Sequence, residues 1–423
     1  MKAIKYIASL LAGITLFSCD NFEDINTNPD SVTKVSPKLL ATGAIVGLMK
    51  PSKGKDFIYN QMTCKYIGWS EALEGTQYNN FGRESFSGYT SLTNYKLMAE
   101  LTDKDETMNE DKRNAYKGLA LFLKAYRLFE YTLNVGDIPY EGILEGKEGN
   151  LTVAYNTQED VFKFLLNDLD KAHEYFRNAN QTTFDGDPIF GGKVEQWHRV
   201  SNALELRVLI NLSKKINSTD INIKSKFNEV LDRNLLLRSN ADNLQITFST
   251  KEGQLYPFNE SLHSYKQYVM ISGLVIDALK ANEDYRLFYY ANPSEGKLNS
   301  GSQEAYTGID PSDPIDELKL IADKTKEFCQ FNNRYTSYEP GEPYIRIGYA
   351  EQNFILAEAA LRTWITGDAA EYYKKGIEAS MKFVADNTPD AQKYHHGRKM
   401  TSDIITQTLA KPGIQLNGNF EED

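Results

Sequence analysis

Two stretches of this chain gather the groups from which metal and phosphate sites are made, and both depart from what those sites need. Asp24, Asn26, Asn28 and Asp30 alternate oxygen ligands as a calcium loop does, but Pro29 replaces the turn glycine and Val35 the closing glutamate. Solvated turns are the expectation there. Gly186-Asp-Pro-Ile-Phe-Gly191-Gly192-Lys193 comes nearest to a phosphate loop, yet an extra glycine precedes the lysine and Val194 stands where a magnesium-binding hydroxyl belongs. His395 and His396 are adjacent and point apart on any regular element, so surface positions are expected. His173, His198 and His263 are isolated in sequence. The metalloprotease pattern His-Glu-x-x-His, Cys-x-x-Cys and Gly-x-Ser-x-Gly are absent. A glycosidase needs two carboxylates at a set separation, and 58 acidic residues in sequence do not reveal which two would have it. The residues therefore support no catalytic group, metal or cofactor.

Binding chemistry is better represented. Tyr66-Ile-Gly68-Trp69-Ser70 is followed by a polar stretch with Tyr78, Asn79, Asn80 and Phe81. An aromatic face covers the apolar C–H side of a pyranose, and amides bond its hydroxyls in pairs. We expect Trp69, Tyr78, Asn79 and Asn80 to form an exposed platform for a neutral oligosaccharide; core packing is the alternative for Trp69. If that platform is absent, the aromatics between Tyr256 and Tyr290 are the next candidates. Lys plus Arg is 47 against 58 Asp plus Glu, a net charge of −11, which repels phosphate backbones and excludes nucleic acid as the natural partner. Neither that charge nor the Trp69 segment offers cationic recognition of acidic sugars, so little salt dependence is expected.

The elements that must position these residues read as helices. Ala115, Leu119, Phe122, Tyr126, Phe129 and Leu133 step by three and four, predicting a helix over about 114–134, with Gly136 as its stop. Phe162, Leu165, Leu169, Ala172 and Phe176 repeat the pattern after Asn156 or Thr157, either of which can cap it. A third helix is expected over 194–214, with Trp197, Val200, Leu204 and Val208 on one face and Ala203, Leu206 and Ile210 on another, hence buried between layers. Ala350, Phe354, Ala357, Leu361 and Trp364, then Thr366-Gly367-Asp368, then Tyr373, Ile377, Met381 and Val384 predict an antiparallel helical hairpin, the unit that tetratricopeptide repeats stack. Core packing is expected for Trp197 and Trp364, and Arg207 is expected to satisfy a buried carboxylate. The stretches 136–150 and 292–314 are rich in glycine and proline and read as long loops.

The first residues read as a leader. Lys2 and Lys5 precede twelve uncharged residues, Tyr6 to Phe17, which suits a signal peptide and is too short to span a bilayer. Leu16-Phe17-Ser18-Cys19 resembles the lipobox of bacterial lipoproteins, which implies cleavage after Ser18 and a lipid anchor on Cys19. Asp20, Glu23 and Asp24 then resemble the surface-export tether of lipoproteins in the Bacteroidota. Of the remaining cysteines, Cys64 and Cys329, burial as free thiols is expected rather than a disulfide framework; Cys64 lies among Phe57, Ile58, Tyr66 and Ile67.

An ordered series of phrases resembles the SusD/RagB lipoproteins, in particular the SusD-like second subfamily. It comprises Asn21-Phe-Glu-Asp-Ile-Asn-Thr-Asn-Pro-Asp30, Gly136-Asp-Ile-Pro-Tyr140, Tyr155-Asn-Thr-Gln158, Gly191-Gly192, and Trp197 through Ser201-Asn-Ala-Leu to Leu206-Arg207. It continues with Pro343-Tyr-Ile-Arg-Ile, Ala350-Glu351, Ala357-Glu-Ala and Tyr372 through Met381. The resemblance implies an all-α fold of tetratricopeptide-like hairpins with long loop excursions: a signal peptide over 1–18 and a single domain over 19–423. It also implies a non-enzymatic, surface-exposed glycan-binding lipoprotein of the outer membrane, which loads oligosaccharides into a SusC-type TonB-dependent transporter. Family members usually continue past the position of Asp423 with a further helical segment, so a C-terminally truncated chain is expected. Ala203 stands where the family often has serine. A peptide-binding or scaffolding lipoprotein and, further off, a surface glycosidase are the alternative readings.

Overall fold

The computed structural model describes residues 35–417 apart from 84, 218 and 296–301; Cys19, the leader and the phrase Asn21–Asp30 lie outside the described residues. Short polar side chains start the helices. Ser36 caps α1 (Pro37–Met49), which has proline in its first turn, where a missing N–H costs nothing. After α2 (Tyr59–Thr63) and α3 (Thr90–Lys104), Asn109 accepts a bond from Lys112 N and opens α4 (Glu110–Val135). Acidic Glu110 and Asp111 favour the positive end of the helix, so α4 begins a turn earlier than apolar periodicity alone predicts. Thr157 caps α5 (Gln158–Asn178) through Asp160 N. The next helix, α6 (Val194–Asn211), gives way to a 3-10 turn at Ser213–Lys215, and α7 (Ile223–Asp232) follows.

Helix α6 is buried on nearly every side, as its two apolar faces require, and Trp197 at its start is fully enclosed. One continuous core joins α1, α3 to α7 and the later α12. The glycine-rich turn before α6 is structural. Asp187 accepts hydrogen bonds from Ile189 N, Phe190 N, Gly192 N and the Trp197 indole (2.8 Å). A Cβ at Gly192, whose φ is +79°, would meet Phe184 O at 1.8 Å, so only glycine fits.

The second half is more broken. It holds α8 (Gly273–Ala281), α9 (Leu287–Tyr290), α10 (Ile315–Leu320) and α11 (Asn333–Thr336). Then come α12 (Tyr349–Leu361), α13 (Ala369–Asp386), α14 (Gln392–His395) and α15 (Ser402–Leu409). The hairpin α12–α13 forms as expected, with Asp368 capping α13 through Ala370 N and Glu371 N. Gly376 lets the two helices close, since a Cβ there would sit 2.8 Å from the Phe354 ring. Trp364 docks the hairpin on α7, edge-on to Phe227 at 5.7 Å, and Arg207 of α6 grips both oxygens of Glu351 on α12 at 2.5 Å. The fold is all-α, with only short strands. The strand β1 (Ile67–Trp69) pairs antiparallel with β3 (Val269–Ile271), and β2 (Leu244–Ile246) with β4 (Tyr344–Ile347).

Three expectations from sequence are corrected. His173 and His198, 25 residues apart, meet between α5 and α6 with Nδ1 and Nε2 2.6 Å apart, because both lie on inward faces of packed helices. Burial lowers their pKa values to about 4 and about 3 respectively. His395 is buried against Asp390, and His396 is half-buried beside Asn332, so neither is a surface residue. Cys64 is exposed, because it ends the five-residue α2 just before Lys65 turns left-handed at φ +61°. Cys329 is buried, and no disulfide joins it to Cys64.

Candidate ligand-binding site

The expected platform is not an exposed surface. Trp69 is 0% exposed. Its strand is only three residues long, so the indole falls between Tyr265 and Tyr268, with ring centroids at 5.5 and 5.4 Å. The side chain of Gln77 folds back to accept Trp69 N at 2.8 Å and donates to Pro311 O at 2.9 Å. Tyr78 is half-buried and its hydroxyl donates to Asp313 O at 2.8 Å, tying this loop to the 311–313 loop. Asn79 and Asn80 remain exposed beyond it. The structure thus separates the four residues: Trp69 packs the interior, Tyr78 ties two loops, and only the two amides face solvent.

Beside this packing lies a cavity of about 430 Å³, within the range of small-ligand sites. Phe57 and Gln61, from the segment around α2, form one wall, and Tyr66 precedes β1. Tyr256 and Phe258 come from the loop between β2 and β3, and Tyr335 from α11. Their rings pack edge-on or tilted rather than closing on each other. Phe57 meets Tyr256 at 5.2 Å and 84°, Tyr256 meets Tyr335 at 6.0 Å, and Phe258 meets Phe331 at 5.5 Å. Gly341 makes this possible: at φ +53°, its missing Cβ would lie 2.2 Å from the Tyr256 ring.

Polar groups sit at defined points on this aromatic wall. Arg334, fully buried, donates to Glu342 Oε2 and to the Tyr335 hydroxyl, both at 2.7 Å, and stacks over the Tyr335 ring at 4.6 Å. That pair fixes the Glu342 carboxylate at the cavity. Burial pushes the Tyr256 and Tyr335 phenols well above their usual range, so both stay neutral O–H groups. Gln61 Oε1 is buried without a hydrogen-bond donor. The arrangement can stack a flat apolar face and accept hydrogen bonds from hydroxyls, which is recognition chemistry.

Of the aromatics between Tyr256 and Tyr290, the second candidates from sequence, Tyr256, Phe258 and Tyr290 line the cavity, whereas Tyr265 and Tyr268 pack on Trp69. Phe57, Tyr66, Phe331, Tyr335 and Glu342 were not singled out as ligand residues by sequence reasoning. They come from separated segments with no shared period, and the only signal was a density of tyrosine in loops.

The comparisons agree with this architecture. The family described as "Starch-binding associating with outer membrane", the second SusD-like group, matches residues 29–413. A SusD homologue of Bacteroides fragilis is 44% identical with a TM-score of 0.87, the alignment covering 92% of this chain and 81% of that one. A second B. fragilis SusD homologue is 30% identical with a TM-score of 0.76, covering 90% and 79%. An outer-membrane protein of Bacteroides vulgatus, described in connection with nutrient binding, is 27% identical with a TM-score of 0.77, covering 89% and 79%. No curated protein matches. A family match along nearly the whole described chain and a shared helical fold lead to one conclusion: the chain belongs to the SusD-like family of outer-membrane, nutrient- and carbohydrate-binding proteins.

Proposed function

We propose that this protein is a non-catalytic glycan-binding lipoprotein, anchored through Cys19 and facing the cell exterior, that captures oligosaccharides and delivers them to a SusC-type TonB-dependent transporter. The observation that carries the reading is the cavity: an open aromatic wall with a carboxylate held by Arg334 at Glu342 and an unsatisfied acceptor on Gln61. A pyranose placed there covers the rings with its C–H face and donates its hydroxyls to those acceptors. Asn79 and Asn80, on the loop that packs against α2, are assigned outer contacts to the same ligand. Trp69 is assigned none.

Calorimetry with neutral oligosaccharides and with short peptides tests the ligand. Wild type should bind at least one oligosaccharide weakly, since a one-sided site must offset ligand ordering. Tyr335→Ala should abolish that binding while Asn79→Ala with Asn80→Ala reduces it. Tighter binding of peptides than of every oligosaccharide would replace this reading with the peptide-uptake alternative. Cys19→Ala should release the protein from the membrane fraction; unchanged fractionation would overturn the anchor. Co-purification of a TonB-dependent barrel with the wild-type lipoprotein tests the partner.

A further inference from the structure

Phe57 lines not one pocket but two. The second is polar, about 470 Å³, and is bounded by Lys50 after α1, Asn60 of α2, Arg127 of α4, and Tyr344 and Arg346 of β4. Arg127 and Arg346 come from elements more than 200 residues apart in sequence and converge on a single carboxylate, Glu130. Their Nη1 atoms stand 3.4 and 3.3 Å from its two oxygens. Well-formed charge-assisted bonds are nearer 2.7–2.9 Å, so neither guanidinium is fully satisfied. The Nε of each is buried without an acceptor. Lys50 is exposed, and its ammonium has no partner among the described residues. Asp56 is the one carboxylate lining the pocket, and with Glu130 it leaves one of the three cations uncompensated.

We infer that this pocket binds an anionic group, a carboxylate or sulfate carried on a glycan, between Arg127, Arg346 and Lys50. Guanidinium presents its N–H groups in a planar fork that matches the oxygens of either anion. The Tyr344 ring under Arg346, 4.9 Å from the guanidinium carbon, keeps that fork in one orientation. Tyr344 also packs on Phe57 at 5.7 Å, and Phe57 in turn meets Tyr256 of the aromatic cavity at 5.2 Å. One ligand spanning Phe57 therefore meets apolar rings on one side and cations on the other. The charge excess stands on its own residues and does not depend on the aromatic cavity binding sugar. It also reverses the sequence-based expectation of salt-insensitive binding, because a local cluster acts within a Debye length whatever the net charge.

The test is calorimetry at low salt with trigalacturonate, inorganic sulfate and maltotriose on wild type, Lys50→Ala, and Arg127→Gln combined with Arg346→Gln. Trigalacturonate should bind wild type more tightly than sulfate. The affinity should fall about tenfold in the double variant, as expected for loss of charge-assisted bonds, and a few-fold in Lys50→Ala. Binding should weaken as sodium chloride is raised, while any maltotriose binding is unaffected by these substitutions. Lys50 is exposed, so its variant keeps the test valid if the arginine pair proves necessary for folding. Equal binding of sulfate and trigalacturonate would overturn the glycan part and leave a free-anion site. Absence of anion binding, or equal anion binding by wild type and Lys50→Ala, would overturn the site, whereas failure of maltotriose alone bears only on the aromatic cavity.

Discussion

The layer around α4, α5 and α6 and the region around β1, β3 and α11 contain the same kinds of side chain, yet they hold a buried tryptophan in different ways. In the helical layer Trp197 is clasped by Phe122 at 5.6 Å and Phe190 at 5.4 Å, and its indole N–H is bonded to Asp187. In the other region Trp69 is equally buried, but its indole N–H has no acceptor among the described residues, and a cavity of about 430 Å³ opens two residues back along β1, at Ile67. Helices deliver a side chain to the same face every three or four residues, so successive turns close over a core. Strands of three or four residues and long loops lack that repetition, and rings from separate segments meet at their edges. The difference teaches that burial of an aromatic in this protein does not mark function. The proposed ligand site lies instead where rings leave volume uncovered.

The sharpest way to break this contrast is at the helical side. Trp364→Ala should cost about 3–5 kcal/mol by chemical denaturation, as for a large core side chain whose site cannot collapse. A loss below about 1 kcal/mol would mean that the hairpin is not held by its core. On the cavity side, Gly341→Ala forces a methyl into the Tyr256 ring at a left-handed φ. It should cost about 2–4 kcal/mol from overpacking plus strain, and should lower ligand affinity by displacing the wall. An unperturbed melting curve and unchanged binding would show that the wall moves freely.

The histidine pair tests how dry the helical layer is. Folded, His173 and His198 titrate at about 4 and about 3, whereas unfolded they titrate near 6.5. Between those values the unfolded chain binds more protons, so their contribution is intact above about pH 6.5 and is lost as pH falls toward 4. Stability should drop by about 2 kcal/mol for each histidine between pH 7 and pH 5, less for the more solvent-screened His173, and His198→Gln should flatten that slope. A slope identical in wild type and variant would assign the pH dependence to other groups. The smallest effect is expected at Tyr66, 53% exposed while lining the cavity. Tyr66→Ala should change stability by less than about 0.5 kcal/mol and weaken oligosaccharide binding several-fold, a split that core residues cannot show.

Much of the helical body was legible in sequence. The pattern from Ala115 to Leu133 and the cap at Thr157 place α4 and α5, and Asp368 after Trp364 marks the α12–α13 turn. These signals are local, since a period and a capping hydroxyl act within a few residues. Trp69 shows the limit. Its surroundings of glycine and asparagine read as an exposed loop, but Tyr265 and Tyr268, nearly 200 residues further on, seal it. The His173–His198 contact was hidden for the same reason.

Sequence alone determined the helical periodicity, the acidic balance and the ordered phrases of the family, because each is written in neighbouring residues or in composition. Only the tertiary structure decided which aromatics face a cavity, which histidines touch, and that Arg127 and Arg346 share one carboxylate. Those facts depend on segments brought together across most of the chain, where spacing in sequence carries no information about distance in space.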